Sequence, residues 1–335
     1  MKFVGGMKMR KQQILKILVV AGAIIFTGCG SMNLQEKDEL SYRKAGIQYM
    51  EKGNYEQAAK AFQKALDYAN GRIGNVELDI CYYKALSFAR MGEVSKAEEV
   101  YNALINYDSD NADAYLQRGN LYAFEQKVKE AVADYEKAIA LKPGKQELYM
   151  AVYENLLAAG AGKTQAQSYL KRALQLSDES GEDYRNKGKI YYILGEYDKA
   201  KQYLSMAENE GDEEARLYMA RVYEAAGEKQ QAYAIYESYD KTHKDSFAKL
   251  RLVNLVMEQK EYEKALTYIT EAKKLVEKDQ LQQLLTYEII ALEKTGDKEQ
   301  AKKALQSYTR TYPEDQKAKR ELAFLEYTTV AEEQQ

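Results

Sequence analysis

The 335-residue chain has no tryptophan, one histidine, two cysteines and two prolines. Each shortage excludes something. One histidine and two cysteines cannot supply the clustered ligands of a transition-metal site, and the two cysteines cannot build a disulfide framework. Two prolines leave long stretches with nothing to interrupt a helix. Alternating runs of Val, Ile and Thr between turn residues, the mark of strands, are absent. No block of basic residues offers a duplex the phosphate contacts it needs, so nucleic acid is excluded as a partner. What the chain does have is Ala, Glu, Lys, Leu and Gln in quantity, together with 30 tyrosines. That composition favours helix along nearly its whole length and predicts an all-α protein.

The first residues read as an address rather than as structure. Lys2, Lys8, Arg10, Lys11 and Lys16 occur without any acid, an apolar run extends from Ile17 to Phe26, and then come Thr27, Gly28 and Cys29. A basic start, about ten apolar residues and small residues before a cut are the layout of a secretory signal. Gly28-Cys29-Gly30-Ser31 resembles a bacterial lipobox, with Phe26 where that pattern prefers Leu. The resemblance implies diacylglycerol on the Cys29 sulfur, cleavage before it, and a chain held to a membrane by two or three acyl chains. The expected division is a lipoprotein signal peptide at 1–28 and a lipidated N-terminus with polar linker at 29–38. The basic residues precede the apolar run, so the chain beyond Cys29 is expected on the extracytoplasmic face of a bacterial cell membrane. Without residues 1–28 the chain carries 44 Lys and Arg against 52 acids, a net charge of −8. Cys81, the other cysteine, sits on an apolar face beside Ile80 and Tyr82 and is expected to be a buried free thiol.

Beyond the linker one unit recurs. Its clearest copy runs from Ala112 to Pro143 and carries Tyr115, Arg118, Gly119, Tyr122, Ala131, Tyr135, Ala138 and Pro143. With a 3.6-residue period these fall on the facing sides of two short helices; glycine and alanine let the backbones approach, and the tyrosines fill the space beside them. The unit resembles the tetratricopeptide repeat, with Tyr115 in place of its Trp and Arg118 in place of its Leu. The close-packing place is held in turn by Gly46, Ala85, Gly119, Tyr153, Gly188, Ala220, Val253 and Ile289, at spacings of 39, 34, 34, 35, 32, 33 and 36 residues. Eight copies in tandem centred on 34 define a solenoid at 39–313. The resemblance implies a right-handed superhelical stack of about eight hairpins. Residues 314–335 are left for a capping helix, with Leu322, Ala323, Leu325 and Tyr327 to cover repeat eight, and a frayed tail.

Chemistry is poorly provided for. His243 stands alone in a polar loop, Gly160-Ala161-Gly162 lacks the context of a phosphate loop, and acidic pairs such as Glu98-Glu99 and Glu213-Glu214 fall on helical surfaces. No catalytic residue, metal site or cofactor is expected, and the reading is a binding protein rather than an enzyme. In the family the first helix of each repeat lines a concave wall. Carried onto this sequence, that wall would hold Tyr82, Tyr83, Asn120 and Phe124 in repeats two and three. In repeats five to seven it would hold Arg185, Asn186, Lys189, Tyr192, Tyr218, Arg221, Arg251 and Asn254. The second group is basic in an acidic protein and suits an extended acidic or C-terminal peptide segment. The opposing possibility is that Glu182, Glu214, Glu224 and Glu258 simply neutralise it. The two-carboxylate clamp of chaperone-binding relatives is not reproduced. The expectation is a membrane-anchored scaffold or adaptor for other proteins, with an accessory subunit that binds cell-wall glycan as the alternative and an enzyme as a more remote one.

Overall fold

A computed structural model describes residues 34–144, 146–176 and 179–333, and the signal segment with Cys29 lies outside them. Among the described residues there are 17 α-helices and no strands. They divide into two compact units, residues 1–177 and 178–335. The first unit holds α1 (Leu34–Glu51), α2 (Tyr55–Ala69), α3 (Asn75–Met91), α4 (Val94–Tyr107), α5 (Ala112–Phe124), α6 (Val128–Leu141), α7 (Gln146–Ala158) and α8 (Lys163–Ala173). The second holds α9 (Gly181–Leu194), α10 (Tyr197–Asn209), α11 (Glu214–Ala225), α12 (Lys229–His243), α13 (Ser246–Glu258), α14 (Tyr262–Ala272), α15 (Lys278–Thr295), α16 (Lys298–Thr311) and α17 (Gln316–Glu333). Each unit is therefore four hairpins in chain order, each packed on the next, and the second adds a terminal helix. Helix α1 begins at Leu34, inside the stretch read from sequence as linker.

The repeat unit is written into the backbone as well as into the side chains. Seven residues after every close-packing position the chain takes a positive φ: Gly53, Gly92, Gln126, Gly160, Gly195, Gly227, Lys260 and Gly296. This is the left-handed residue that turns a first helix into its partner, and six of the eight are glycine, which adopts it without steric cost. At Gly195 the turn closes as the N–H groups of Gly195 and Glu196 donate to Tyr192 and Tyr191. Several of the helices start on side-chain caps, among them Asn54 on Gln57, Asn111 on Ala114, Ser180 on Asp183, Asp245 on Ala248 and Asp297 on Gln300.

Sixteen residues after each close-packing position stands a large side chain from the second helix: Phe62, Tyr101, Tyr135, Tyr169, Leu204, Tyr236, Ile269 and Leu305. All eight are almost wholly buried. The pairing is tightest where the first member is glycine. A methyl group at Gly46 would come within 2.5 Å of the Phe62 ring, at Gly119 within 2.9 Å of Tyr135, and at Gly188 within 2.6 Å of Leu204. Burying each of these large side chains contributes roughly 1.5–3 kcal/mol, so the series forms the main apolar seam of both units. Tyr153, which breaks the small-residue rule in repeat four, is itself buried.

Arg118, the departure from the family pattern in repeat three, is used structurally. Its guanidinium pairs through Nε and Nη2 with both oxygens of the buried Asp134 at 2.7 Å and donates through Nη1 to Asn102 at 2.6 Å. One side chain thereby ties α5 to α6 and to α4, and a bidentate ion pair replaces an apolar contact. At the other end of the chain Ala318, Leu322 and Leu325 of α17 cover Ile289, Leu305 and Tyr308, as a terminal cap should. The cap extends to Glu333, into the stretch expected to fray, and Ala323 faces solvent instead of the repeat.

Candidate functional site

The first helices of repeats five, six and seven carry the residues of interest on single stripes. Spacings of three and four residues align Arg185, Lys189 and Tyr192 along α9, Tyr218 and Arg221 along α11, and Phe247, Arg251 and Asn254 along α13. Contacts between neighbouring helices join the stripes into one face. Lys189 Nζ lies 4.4 Å from the centre of the Tyr218 ring. The Arg221 guanidinium lies 5.2 Å from Tyr218, 5.4 Å from Tyr192 and 5.8 Å from Phe247. Three rings from three successive repeats thus surround one guanidinium, each presenting the negative face of its π system.

The charges on this face separate into two kinds. Arg185 is neutralised: it meets Asp212 at 2.5 Å, Glu214 at 3.3 Å and Glu182 at 3.6 Å, and is only 14 % exposed. Burial opposes its charge, but the hydrogen bond and charge of Asp212 outweigh that and hold the guanidinium above its ordinary range. Arg251 is neutralised by Glu224 through both carboxylate oxygens, and Tyr236 donates to the same carboxylate at 3.3 Å. Glu258 pairs with Lys229 at 2.7 Å. Lys189 and Arg221 are different. Neither has a carboxylate partner among the described residues, and both are half-buried against rings. The opposing possibility thus holds for two of the four cations.

Other expected wall residues fall elsewhere. Asn120 is interior: only 3 % exposed, it accepts from Tyr135 Oη at 3.0 Å and from Asn155 Nδ2 at 2.8 Å. It stands directly after the close-packing Gly119, a position that turns it toward the next hairpin rather than toward a ligand. Asn186 is also buried, at 2 % exposure. Tyr82 spends its hydroxyl on Asn111 Oδ1 at 2.8 Å, and burial pushes its pKa up. Tyr83 stacks on Phe62 at 5.5 Å, beside an Arg43 that is paired with Asp79 at 2.6 Å. Phe124 is half-buried at the end of α5, and Asn254 half-buried on α13 one turn beyond Arg251. The face therefore reduces to Lys189, Tyr192, Tyr218 and Arg221, with Phe247 as a member that sequence reasoning missed. Its signal was its place four residues before Arg251 on the same stripe.

Two further residues read from sequence are also placed. Cys81 is half-buried and unpaired, with its thiol pKa raised by burial. His243, expected in a loop, is instead the last residue of α12, where it stacks on Tyr239 at 4.0 Å and meets Glu213 at 3.1 Å, a contact that raises its pKa. Among the described residues no group of three or more His, Cys, Asp or Glu could hold a metal ion. No described helix is long and apolar enough to cross a membrane.

An all-helical stack of hairpins with a left-handed turn at a fixed place in each defines a tetratricopeptide solenoid, a fold that in general serves as a non-enzymatic scaffold. Comparison with known proteins agrees. Profiles of the tetratricopeptide repeat match residues 41–71, 82–145, 184–206, 214–246 and 289–315, and the chain belongs to the tetratricopeptide repeat family. The chain is 26 % identical over 195 residues to a DnaJ homolog subfamily C member 7 homolog of Dictyostelium discoideum, matching 58 % of this chain and 34 % of that protein. It is 28 % identical over 229 residues to the type IV pilus assembly protein PilF of Pseudomonas aeruginosa, matching 62 % of this chain and 86 % of PilF. The chain thus spans about a third of the DnaJ homologue but most of PilF. Among solved structures it resembles a tetratricopeptide repeat protein from Parabacteroides merdae, with a TM-score of 0.51 and 15 % identity over 76 % of this chain and 99 % of that one. That likeness speaks to the fold alone.

Proposed function

We propose that this protein is a lipid-anchored adaptor on the extracytoplasmic face of a bacterial membrane, and that it grips an extended, acidic segment of a partner protein on the α9–α11–α13 face. The carrying observation is Arg221, a half-buried guanidinium held by three rings with no carboxylate partner among the described residues. In a chain whose residues beyond 28 carry −8, an un-neutralised cation fixed by aromatics attracts an anionic group, and guanidinium offers it a forked pair of hydrogen bonds. Tyrosine and phenylalanine supply apolar contact at little entropic cost. The likeness to PilF, most of whose length the chain spans, favours a part in assembling a multi-protein envelope structure.

Crosslinking and pull-down from intact membranes tests the reading, comparing wild type with Lys189→Glu/Arg221→Glu. Arg185 and Arg251 are left alone because reversing a paired residue would strand Asp212 or Glu224 and disturb the fold. A partner captured by wild type and lost from the double variant supports the face as the docking site. The same partners in both would refute it, and recovery of glycan instead of protein would favour the accessory-subunit reading. For the anchor, Cys29→Ala should release the protein from membranes or leave its precursor uncut; unchanged processing and retention would remove the lipid from the proposal.

A further inference from the structure

The positive spot on this face is small and fenced. Toward the start of α9 and α11 stand Glu182, Asp212 and Glu214, gathered around Arg185. Toward the end of α11 stands Glu224, held by Arg251 and Tyr236. At the helical rise, Glu214 lies roughly 10 Å from Arg221 along the axis of α11, and Glu224 roughly 4–5 Å on its other side. An extended peptide advances about 3.3 Å per residue. Glu224 is balanced by Arg251, but Glu182, Asp212 and Glu214 share the single Arg185 guanidinium and keep a net negative charge. A tract with acids at successive positions would place its first carboxylate on Arg221 and Lys189 and a later one against that cluster. Like charges at such distances repel, most strongly where water is partly excluded.

Immediately around the spot the surface is aromatic. Tyr192 and Tyr218 are half-buried, and Phe247 is exposed, at 38 %. Resting on the reading of this face as a peptide-docking site, we infer that its ligand is a peptide segment with a single carboxylate flanked by an aromatic or large aliphatic side chain, and that polyacidic tracts are rejected. The carboxylate meets Arg221 and Lys189, and the apolar neighbour packs on Phe247 and Tyr192. Selectivity comes from the fence as much as from the attraction.

The test is fluorescence anisotropy with the full-length protein in detergent and four labelled hexapeptides. All are amidated at the C-terminus, so that side chains supply the only carboxylates: Ser-Gly-Phe-Asp-Gly-Ser, its Asp→Asn and Phe→Ser twins, and hexaglutamate. The expected result is that the first binds about tenfold or more tightly than the other three. The preference for Asp over Asn should vanish in Arg221→Gln and return in part in Arg221→Lys, which checks that the variant is folded. Hexaglutamate binding as well as the first peptide, with loss in Arg221→Gln, would overturn the single-carboxylate inference and leave the docking face standing. No binding of any peptide to wild type, or binding undiminished in Lys189→Gln/Arg221→Gln, would overturn both.

Discussion

Lys260 and Gln126 occupy the left-handed turn position that glycine fills in the other six repeats, at φ of 61° in both. A non-glycine residue there places Cβ against the following carbonyl at a cost of about 1–2 kcal/mol. Both side chains are exposed, so replacing them removes no packing. Glycine relieves the clash but loses more backbone freedom on folding, about 0.5–1 kcal/mol. The balance predicts that Lys260→Gly and Gln126→Gly each stabilise their own hairpin by roughly 0.5–1 kcal/mol. A gain this small in one hairpin is poorly read from global unfolding, because hairpins of a repeat stack open piecemeal. Native-state amide exchange is local and suited to the question. In Lys260→Gly, the amides of Lys260 and Glu261, which donate to Met257 and Val256 at 3.1 and 2.9 Å, should exchange roughly two- to fivefold more slowly. Lys260→Ala keeps the clash and should show no gain. Exchange unchanged or faster in the glycine variant, or an equal gain in the alanine variant, would show that the turn is not strained.

The packing and the charges give three further expected outcomes. Gly188→Ala should cost about 1–3 kcal/mol in thermal melting by driving a methyl into Leu204, and adding Leu204→Ala should make the second cost less than additive. Arg118→Leu restores the family residue yet should destabilise the first unit by about 3 kcal/mol, because Asp134 is left buried and unpaired; Arg118→Leu/Asp134→Leu should recover most of it. Glu39, buried on α1 between Arg72 and Glu77, is pushed up to about 7 by burial and then by the Glu77 carboxylate, against the pull of Arg72. The folded chain thus holds the Glu39 proton more tightly than the unfolded chain does. Its contribution is fully present below the unfolded value near 4.5 and is lost as pH rises through about 7. Wild type should lose stability between about pH 5 and 8 in urea titrations, and Glu39→Gln should flatten that slope; an unchanged slope would remove Glu39 as its source.

Much of the fold was legible because a repeat reports the same fact eight times. A glycine at 46, 119 or 188 means little alone, but the spacing fixed each first helix, and the buried seam sixteen residues on is its consequence. The turn at Lys260 was not legible, since nothing in a lysine announces a left-handed backbone. The candidate face was read less well. Periodicity says which side of a helix a residue occupies and not what the next repeat sets against it. Arg185 and Arg221 have similar stripe positions, yet Asp212 reaches one and no carboxylate reaches the other among the described residues. Asn120 misled for a related reason. Polar residues are expected outside, and only the partners Tyr135 and Asn155, from its own hairpin and the next, show that this one belongs inside.

That Asn120–Asn155 contact bears on how the stack avoids assembling in the wrong order. Hairpins of near-identical apolar outline could dock on the wrong neighbour with little loss of buried area. A buried amide whose acceptor is met by one residue of the correct neighbour cannot. Shifted by one repeat, repeat three would face a surface without Asn155: the Asn120 Oδ1 would keep only Tyr135, and the buried Asn155 amide N–H would lose its acceptor at a cost of about 1–3 kcal/mol. Polar side chains set inside a repetitive core thus act as an address between adjacent modules, telling each hairpin which sibling comes next.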